Sequence, residues 1–242
     1  FFDDRGIVES ANVVRTWHTL TKHPANPVLV PEGREEVILL FGTVLRDASS
    51  GASRMWYTAI GQDDAGVSMY WIAYAESDDG LDWRRPCLGL LPDIAPNAVF
   101  APDTHRLIGF AGVIEDFGAP SDARFKLMAS THECVTNDKE YVLAVSPDGF
   151  DWRIIDTFRP DAPAYPDTCC LTHDPVDGAY VLFTRAKYAP TSVYERNAPN
   201  FFGRAVARCT STDFRIWSKP ELVMHVTDDD PFGVEIYSLM AY

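Results

Sequence analysis

The chain has 242 residues, of which 46% are hydrophobic and 12% aromatic, so it can bury one large core and is not mainly disordered. Its formal net charge of −14 repels nucleic acid and anionic membrane surfaces, so neither is expected as a partner. No apolar run approaches the roughly 20 residues of a membrane span, and the opening FFDDRG lacks a signal-peptide pattern, so we expect a soluble protein, cytoplasmic or exported after removal of a leader.

Residues 1–35 are predicted to form a loop that precedes the first strand. Its segment TWHTLTKHPANPVL (Thr16–Leu29) is rich in proline and asparagine and contains Trp17 and His23. An aromatic ring and an imidazole at the mouth of a cavity suit stacking on the apolar face of a sugar. We therefore predict Trp17 and His23 as substrate-binding residues, and packing inside the loop is the equally supported alternative.

Residues 36–90 form the first of three similar periods. Three strand-like segments are followed by a turn made of Ser, Asp and Gly. Trp83 follows this turn, and we predict that it begins a fourth, outer strand and packs against its own sheet. The three segments are EVILLFGTVLRD (Glu36–Asp47), SRMWYTAI (Ser53–Ile60) and SMYWIAYAES (Ser68–Ser77).

Two further periods cover about residues 97–160 and 166–225, and they end in similar turns before Trp152 and Trp217. The innermost strands of these periods are predicted at Asn97–Asp103 and Asp167–Asp174. The other strand-like segments are Arg124–Thr131 and Glu140–Ser146 in the second period, and Gly178–Arg185 and Gly203–Ser211 in the third. Residues 234–242 are predicted to start one more period.

Self-similarity at a period of more than about 40 residues, built from short strands, is typical of propeller blades. Helical spacing is weak, and 17 prolines and 15 glycines punctuate the β-rich runs. We therefore predict an all-β fold, a five-bladed β-propeller of four-stranded antiparallel blades forming a single domain over residues 1–242. Three periods and a start do not close such a ring, so we expect it to be open or to lack a C-terminal blade.

The innermost strands of a propeller run parallel to one another, so the residues that open them converge on one face of the ring. The predicted openings are Glu36 with its neighbour Glu35, then Asn97, Asp167 and Glu235. Glycoside hydrolysis needs one carboxylic acid to protonate the leaving oxygen and one carboxylate to attack the sugar or to activate water. The carboxylates at these openings can supply that pair. Asp residues at the opposite strand ends, Asp47, Asp103 and Asp174, are predicted only to cap turns.

Arg185 ends the second strand of the third period, which runs antiparallel to the strand of Asp167, so it returns to the same face. A fixed guanidinium there can hold a sugar hydroxyl or a carboxylate. A salt bridge to Asp167 is the alternative, and the two roles are compatible. The five cysteines contain no C-x-x-C pair, so no metal site is predicted. A calcium ion in the channel is left open, although the chain contains no dedicated calcium loop.

Several segments resemble the five-bladed propeller glycosidases, a superfamily that includes arabinanases and xylosidases, invertases and levansucrases, and mannoside phosphorylases. The resemblance extends from about Phe1 to Trp217 and is nearest to an uncharacterised glycosidase-like bacterial branch. It is carried by KHPANPVL, RMWYTA, YAESDDGLDWRRP, SPDGFDW, DGAYVLFTR and STDFRIWS.

This resemblance implies that acidic residues opening successive inner strands act as base or nucleophile, transition-state stabiliser and acid. Carried over by position, Asp167 is the expected base or nucleophile, Glu235 the proton donor, and Glu36 or Glu35 a further catalytic carboxylate. Asn97 departs from the pattern, because it offers an amide where many relatives have Asp. Glu35, Asn97 and Arg185 are therefore predicted as substrate-binding residues.

The expected function is a glycoside hydrolase that acts on a small oligosaccharide or on a polysaccharide end, without a cofactor. One alternative is a non-catalytic carbohydrate-binding propeller, which the amide at Asn97 and the incomplete ring favour. A second is a glycoside phosphorylase, which needs a basic phosphate-binding pocket, and only Arg185 and His23 are available to form one. A third is a sialidase, since the Ser-Asp-Gly turns are similar to its Asp-box, although only Arg185 is placed to bind a carboxylate.

Overall fold

A computed structural model describes residues 9, 11–14, 16, 18–101, 106–133, 138–188, 203–227, 230–231 and 233–240. These residues form twelve β-strands and one 3-10 turn at Ser121–Ala123. The all-β prediction is therefore confirmed. The strands are β1 (Glu35–Arg46), β2 (Ser53–Gln62), β3 (Ser68–Ser77), β4 (Ala98–Phe100), β5 (Arg106–Glu115), β6 (Phe125–Glu133), β7 (Lys139–Ser146), β8 (Arg153–Phe158), β9 (Ala164–Asp174), β10 (Ala179–Tyr188), β11 (Gly203–Ser211) and β12 (Glu221–Met224).

The strands form three four-stranded antiparallel sheets, each following the chain as a meander. The first sheet has the order β1-β2-β3-β4, the second β5-β6-β7-β8, and the third β9-β10-β11-β12. The first strands of the three sheets, β1, β5 and β9, lie side by side in that order. This is the layout of successive propeller blades whose innermost strands surround a common axis.

The second sheet differs from the sequence prediction in its innermost strand. We expected Asn97–Asp103 to open this blade, but Ala98–Phe100 is β4 and pairs with β3 at the outer edge of the first sheet. The innermost strand of the second sheet is Arg106–Glu115 instead. Asn97 therefore stands before an outer strand, and the argument that placed it with the inner-strand carboxylates does not hold. Asp103 lies outside the described residues.

Apolar side chains fill the two seams between the sheets, so the sheets pack face to face. Between the first and second sheets, Trp56 packs on Phe125 with ring centroids 6.0 Å apart. Between the second and third sheets, Met128 and Leu143 pack on Leu182. Each seam buries large side chains almost completely, and such burial is the main stabilising contribution to a fold of stacked sheets.

The three predicted Ser-Asp-Gly turns share one hydrogen-bond pattern. In the first, Asp79 Oδ1 accepts from the backbone N–H groups of Leu81 and Asp82, and Ser77 Oγ accepts from Gly80. Ser146 and Asp148 repeat this pattern, and so do Ser211 and Asp213 in part. The residue after the Asp, the fourth of each turn, has a positive φ, at Gly80, Gly149 and Phe214. Glycine adopts this conformation without strain, whereas Phe214 does so while its ring is buried in the seam.

Trp152 and Trp217 precede the outer strands β8 and β12, close to the predicted place, whereas Trp83 does not begin an outer strand, because β4 starts only at Ala98. Trp152 stands directly before β8 and packs against the first seam. Trp217 packs in the second seam, where it stacks on Phe158 with centroids 5.7 Å apart. Trp83 is followed by Arg84, which forms an isolated bridge with Glu76 of β3. No helix in the described parts of the chain is long and apolar enough to cross a membrane.

Candidate active site

The structure distributes the predicted site residues over three places. Asp167, Arg185 and Glu235 belong to one cluster at the third sheet. Glu35 and Asn97 belong to a second cluster at the first sheet, and Glu36 lies apart from both. His23 is exposed, and its ring Nδ1 accepts a hydrogen bond from Ala25 N within its own turn. Trp17 lies outside the described residues.

Asp167 stands near the start of β9, and Arg185 stands on the neighbouring strand β10. The pairing of these strands shifts register between Thr184 and Ala186, at the position of Arg185. Arg185 Nη1 lies 2.5 Å from Asp167 Oδ2, so the ion pair predicted as an alternative role is present. The Asp167 backbone N–H also donates to the buried Tyr141 hydroxyl at 3.2 Å, which ties this strand opening to the second sheet.

Tyr237 connects this ion pair with a second one. The Arg185 guanidinium lies 4.2 Å from the Tyr237 ring centroid, and the Arg204 guanidinium lies 4.9 Å from it. Glu235 Oε1 accepts from Arg204 N at 3.1 Å, and its Oε2 lies 3.6 Å from Arg204 Nη1. We name these five residues the Asp167 cluster. It brings Asp167 and Glu235, which are far apart in the sequence, to the same aromatic ring.

Arg185 is the most enclosed member of the Asp167 cluster, with 5% of its surface exposed. Its Nη1 is paired with Asp167, and the Tyr165 and Tyr237 side chains interact with the guanidinium, but its Nε and Nη2 make no well-aligned hydrogen bond among the residues that the structure describes. Buried guanidinium groups normally satisfy all their N–H groups, so these donors are available to a polar ligand atom. By contrast, the side chains of Asp167 and Glu235 are 17% and 28% exposed, so solvent can reach both carboxylates.

Glu35, the first residue of β1, is buried in a network of hydrogen bonds that we name the Glu35 network. Tyr57 donates its hydroxyl hydrogen to Glu35 Oε1 at 2.6 Å. Arg85 Nη2 lies 2.9 Å from Glu35 Oε2, and Asn97 Nδ2 donates to the Tyr57 hydroxyl at 3.0 Å. Burial and the Glu35 carboxylate together raise the pKa of Tyr57, so the phenol stays protonated as the donor.

Arg85 uses all three of its guanidinium nitrogens in the Glu35 network. Its Nε donates to the Tyr57 hydroxyl, its Nη1 to Glu32, and its Nη2 to the Val30 carbonyl as well as to Glu35. These contacts join residues 30–35, the second strand and the loop after Trp83. A cavity of about 540 Å³ lies beside them, and Glu35, Arg85 and Asn97 form part of its wall together with residues 92–96.

Glu36 lies outside both clusters, although it is adjacent to Glu35 in the chain. Its side chain is exposed, and Gln62 Nε2 approaches its Oε2 at 3.4 Å. It lines a separate cavity of about 450 Å³ with residues 26–31. Within the described residues, no hydrogen bond or ion pair connects Glu36 with Asp167 or Glu235, so the three predicted catalytic carboxylates are not joined in one cluster.

Sequence reasoning missed four residues of the two clusters: Tyr57, Arg85, Arg204 and Tyr237. Tyr57 and Arg204 lie on strands that the sequence did predict, but the register that aims them at a carboxylate depends on pairing partners. Arg85 lies in an irregular loop directly after Trp83, where no period applies. A useful signal was available for Tyr237, since it stands two residues after the predicted acid Glu235 in a β-like segment.

No group of three or more His, Cys, Asp or Glu side chains in the described residues could hold a metal ion. The polar chemistry of both clusters therefore rests on carboxylate, guanidinium, amide and phenol groups. The calcium ion that the sequence left open in the channel stays untested.

Solved structures with a similar fold come from carbohydrate-active proteins. An N-acetylgalactosamine deacetylase from F. plautii, solved with blood group B trisaccharide, matches 84% of this chain and 58% of its own at 15% identity and a TM-score of 0.57. A glycosyl hydrolase from Bacteroides ovatus matches 84% and 60% at 15% identity and a TM-score of 0.50. Fructan 1-exohydrolase IIa from Cichorium intybus matches 81% and 38% at 11% identity and a TM-score of 0.51.

The chain has the fold of the glycoside hydrolase-like propellers. The predicted resemblance is thus confirmed for the architecture. Sequence identities of 11–15% do not support an inference of activity from these structures to this chain. Neither the family models nor the curated sequences that were searched match the chain. The chain spans 58%, 60% and 38% of the lengths of these three structures, and five blades are not established for it.

Proposed function

We propose that this propeller is a glycoside hydrolase that uses Asp167 and Glu235 as its carboxylate pair. The observation that carries the proposal is the Asp167 cluster, in which both carboxylates, partly exposed, reach arginines packed on the ring of Tyr237. A pair of carboxyl groups is the minimum that glycosidic bond cleavage requires. The fold shared with carbohydrate-active propellers supports the same substrate class.

The two carboxylates have different surroundings, and these suit different roles. Asp167 is in close contact with the buried Arg185, which orients its carboxylate to attack the anomeric carbon or to take a proton from water. Glu235 accepts from Arg204 N and lies 3.6 Å from the half-exposed Arg204 guanidinium, a looser contact than that of Asp167, so it is assigned the delivery of the proton to the leaving oxygen. The open N–H groups of Arg185 would hold a sugar hydroxyl beside them.

A non-catalytic carbohydrate-binding propeller is the second candidate. The cavity of about 540 Å³ beside the Glu35 network favours it, because this cavity is sugar-sized and lies at the first sheet rather than at the Asp167 cluster. Glu35 and Asn97, both predicted to bind substrate, form part of its wall. The two candidates differ in whether turnover exists and in which cluster the sugar contacts.

The test is a screen of aryl glycosides of common pentoses and hexoses, followed by Asp167→Asn and Glu235→Gln on the best substrate. The proposal expects each variant to lose at least about a thousandfold in kcat while it still binds the sugar. Running the screen with and without phosphate separates hydrolysis from phosphorolysis. A chain that binds sugars but cleaves none of the glycosides fits the second candidate and overturns the first.

Matched controls are available outside the cluster. Glu221 forms an ion pair with Arg208 at 2.6 Å on the outer edge of the third sheet, and Asp156 lies 3.6 Å from Arg215. The variants Glu221→Gln and Asp156→Asn remove the same chemical groups from exposed ion pairs. If they reduce kcat as much as the two site variants do, the loss reflects charge or folding rather than catalysis, and the assignment fails.

A further inference from the structure

A third cavity, of about 580 Å³, lies between the second and third sheets at the ends of the strands opposite to Asp167. His173 lines it near the end of β9, six residues after Asp167, which corresponds to about 20 Å along an extended strand. The turn at residues 116–124 and the Asp213 turn form its rim. The cavity is therefore separate from the Asp167 cluster and plays no part in the proposed hydrolysis.

A buried lysine lies in the wall of this cavity. Lys126 is only 5% exposed, and its Nζ donates to the Ala123 carbonyl. It also lies 5.9 Å from the centre of the Tyr180 ring. Burial lowers the pKa of Lys126, since water is removed from the ammonium group. Asp116 and Asp122 attract the ammonium group electrostatically, but the Ala123 carbonyl is the hydrogen-bond acceptor that the described residues give it, so two of its three N–H donors have capacity for an anionic partner.

The carboxylates around the cavity are already engaged by local donors. Asp116 accepts from the Tyr180 hydroxyl at 2.5 Å and from Gly118 N at 2.8 Å. Asp213 accepts from the backbone N–H groups of Arg215 and Ile216 and from Ser211 Oγ, as part of its turn. These contacts hold the pKa of both carboxyls low: in Asp116 they outweigh the effect of burial, and in Asp213 the Ile216 N–H contributes most.

The cations at the mouth of the cavity are held more loosely. Arg153 lies 3.9 Å from Asp122, and Arg215 lies 3.6 Å from Asp156, with all four side chains about half exposed or more. Ion pairs of this kind in solvent are weak, and Arg215 Nη1 also donates to the Ile155 carbonyl at 2.9 Å, so Arg153 is the freer of the two guanidinium groups to turn towards a ligand. Lys126, Arg153 and Arg215 thus place three cationic side chains around this cavity, beside Asp116 and Asp213 in its wall, in a chain whose net charge is −14.

We propose that this cavity binds a sugar-sized anion, a small polyhydroxylated molecule with one phosphate or carboxylate group. Lys126 binds the anionic group, and Arg153 and Arg215 close over it at the mouth. The volume of about 580 Å³ fits a molecule of this size, and the mixed wall of Tyr180, Phe214 and His173 gives the uncharged part an apolar surface. Phosphate and carboxylate share the chemistry that these donors recognise.

The test is isothermal titration calorimetry of the intact chain with D-glucose 6-phosphate, D-glucuronate, inorganic phosphate and uncharged D-glucose. The proposal expects at least one of the two anionic sugars to bind at least tenfold more tightly than D-glucose, with an affinity that falls as salt rises. The phosphate and carboxylate probes distinguish the two possible anionic groups. Equal binding of D-glucose and of both anionic sugars, or no binding at all, overturns the proposal.

Variants locate the site. Lys126→Met is expected to weaken binding of the preferred anion at least tenfold, and Lys219→Gln, which changes an exposed lysine, is expected to leave it unchanged. Since Lys126 is buried, the double variant Arg153→Gln/Arg215→Gln provides a test at exposed positions and is expected to weaken binding at least fivefold. Asp167→Asn keeps the anion binding, which separates this site from the proposed active site. Unchanged binding in both the lysine variant and the arginine pair contradicts the proposal.

Discussion

The Glu35 network and the Asp167 cluster contain the same kinds of groups, yet one is closed and the other is open. Each has a carboxylate at or near the start of an innermost strand, an arginine and a tyrosine. Arg85 uses Nε, Nη1 and Nη2 on four acceptors within the network. Arg185 uses Nη1, and in the described residues its Nε and Nη2 make no well-aligned hydrogen bond.

This difference separates a structural role from a ligand-binding one. A network whose donors and acceptors all match lowers the free energy of the folded chain and has nothing to offer a ligand. A buried guanidinium with open donors raises the free energy of the empty site, and a ligand with oxygen atoms in the right positions removes that cost. We therefore expect the Glu35 network to control stability and the Asp167 cluster to control turnover.

The largest expected effects come from exchanging arginine for lysine in each region. Arg85→Lys is expected to lower the free energy of unfolding by about 3 kcal/mol, because an ammonium group cannot reach four acceptors and buried Glu35 loses its partner. Arg185→Lys keeps a charge beside Asp167 but loses the open N–H groups. It is expected to lower kcat/KM about a hundredfold, or about 2.7 kcal/mol, and to change stability by less than about 1 kcal/mol.

Urea unfolding and initial-rate kinetics on both lysine variants measure these effects. We expect Arg85→Lys to lower the free energy of unfolding and Arg185→Lys to lower kcat/KM, each with little effect on the other quantity. If Arg185→Lys loses stability as Arg85→Lys does and keeps its kcat/KM, the Asp167 cluster is a second structural network, and the distinction between closed and open arginines fails.

A smaller effect is expected from removing the hydroxyl at the centre of the Glu35 network. Tyr57 is fully buried, and its hydroxyl serves Glu35, Arg85 and Asn97 at once. Tyr57→Phe removes one hydrogen bond from each of these three groups, which keep their other partners, and is expected to cost about 2 kcal/mol of unfolding free energy. Tyr70→Phe, at a half-buried tyrosine of the same sheet, serves as the control and is expected to cost less than about 0.5 kcal/mol. Equal losses in urea unfolding would show that the network has no special stabilising role.

The sequence predicts those parts of the fold that depend on local chemistry. The Ser-Asp-Gly turns were predicted because Ser and Asp bond to backbone groups only two or three residues away, and glycine permits the positive φ. The ion pair of Arg185 with Asp167 was also within reach, since the turn between their strands fixes an antiparallel hairpin. In both cases the interacting residues are close in the chain or joined by one tight connection.

The sequence does not predict the features that depend on distant partners. Ala98–Phe100 is apolar and short, and nothing within it distinguishes an outer strand of the first sheet from an inner strand of the second. Glu35 and Glu36 are adjacent acids, and only the folded chain shows that Tyr57 and Arg85 enclose the first while the second stays exposed. The separation of the two clusters follows from such long-range contacts.

The glycine of the second turn tests how tightly the first sheet is held against its neighbour. A Cβ added to Gly149 would lie 2.7 Å from Trp56 Cζ2, whereas one added to Gly80, at the same place in the first turn, meets nothing within 4 Å. Both have φ values near +80°, so both alanine variants carry the same backbone strain of roughly 1 kcal/mol. Gly149→Ala is expected to lose about 1–2 kcal/mol more than Gly80→Ala in urea unfolding. Equal losses would show that Trp56 can shift to accommodate the added methyl group, so the packing between the first and second sheets would be looser than we infer.

The smallest expected effect concerns the Ser-Asp-Gly turns, which belong to neither cluster. Their carboxylates accept several hydrogen bonds, as Glu35 does, so they too are expected to stabilise the fold. Burial raises the pKa of Asp148, but hydrogen bonds from Phe150 N and Asp151 N outweigh it, so the net pKa is lowered. A carboxyl with a lower pKa in the folded chain adds stability above its unfolded value of about 3.9, and this stability is lost as the pH falls below that value. Urea midpoints of the wild type and of Asp148→Asn should therefore differ at pH 7 and converge towards pH 3. Asp64→Asn, which removes a carboxylate from an exposed ion pair with Arg34, is the control and is expected to change the midpoint less at both pH values. Midpoints of Asp148→Asn that stay equally far below the wild type at both pH values would mean that the turn depends on shape rather than on its ionised carboxylate.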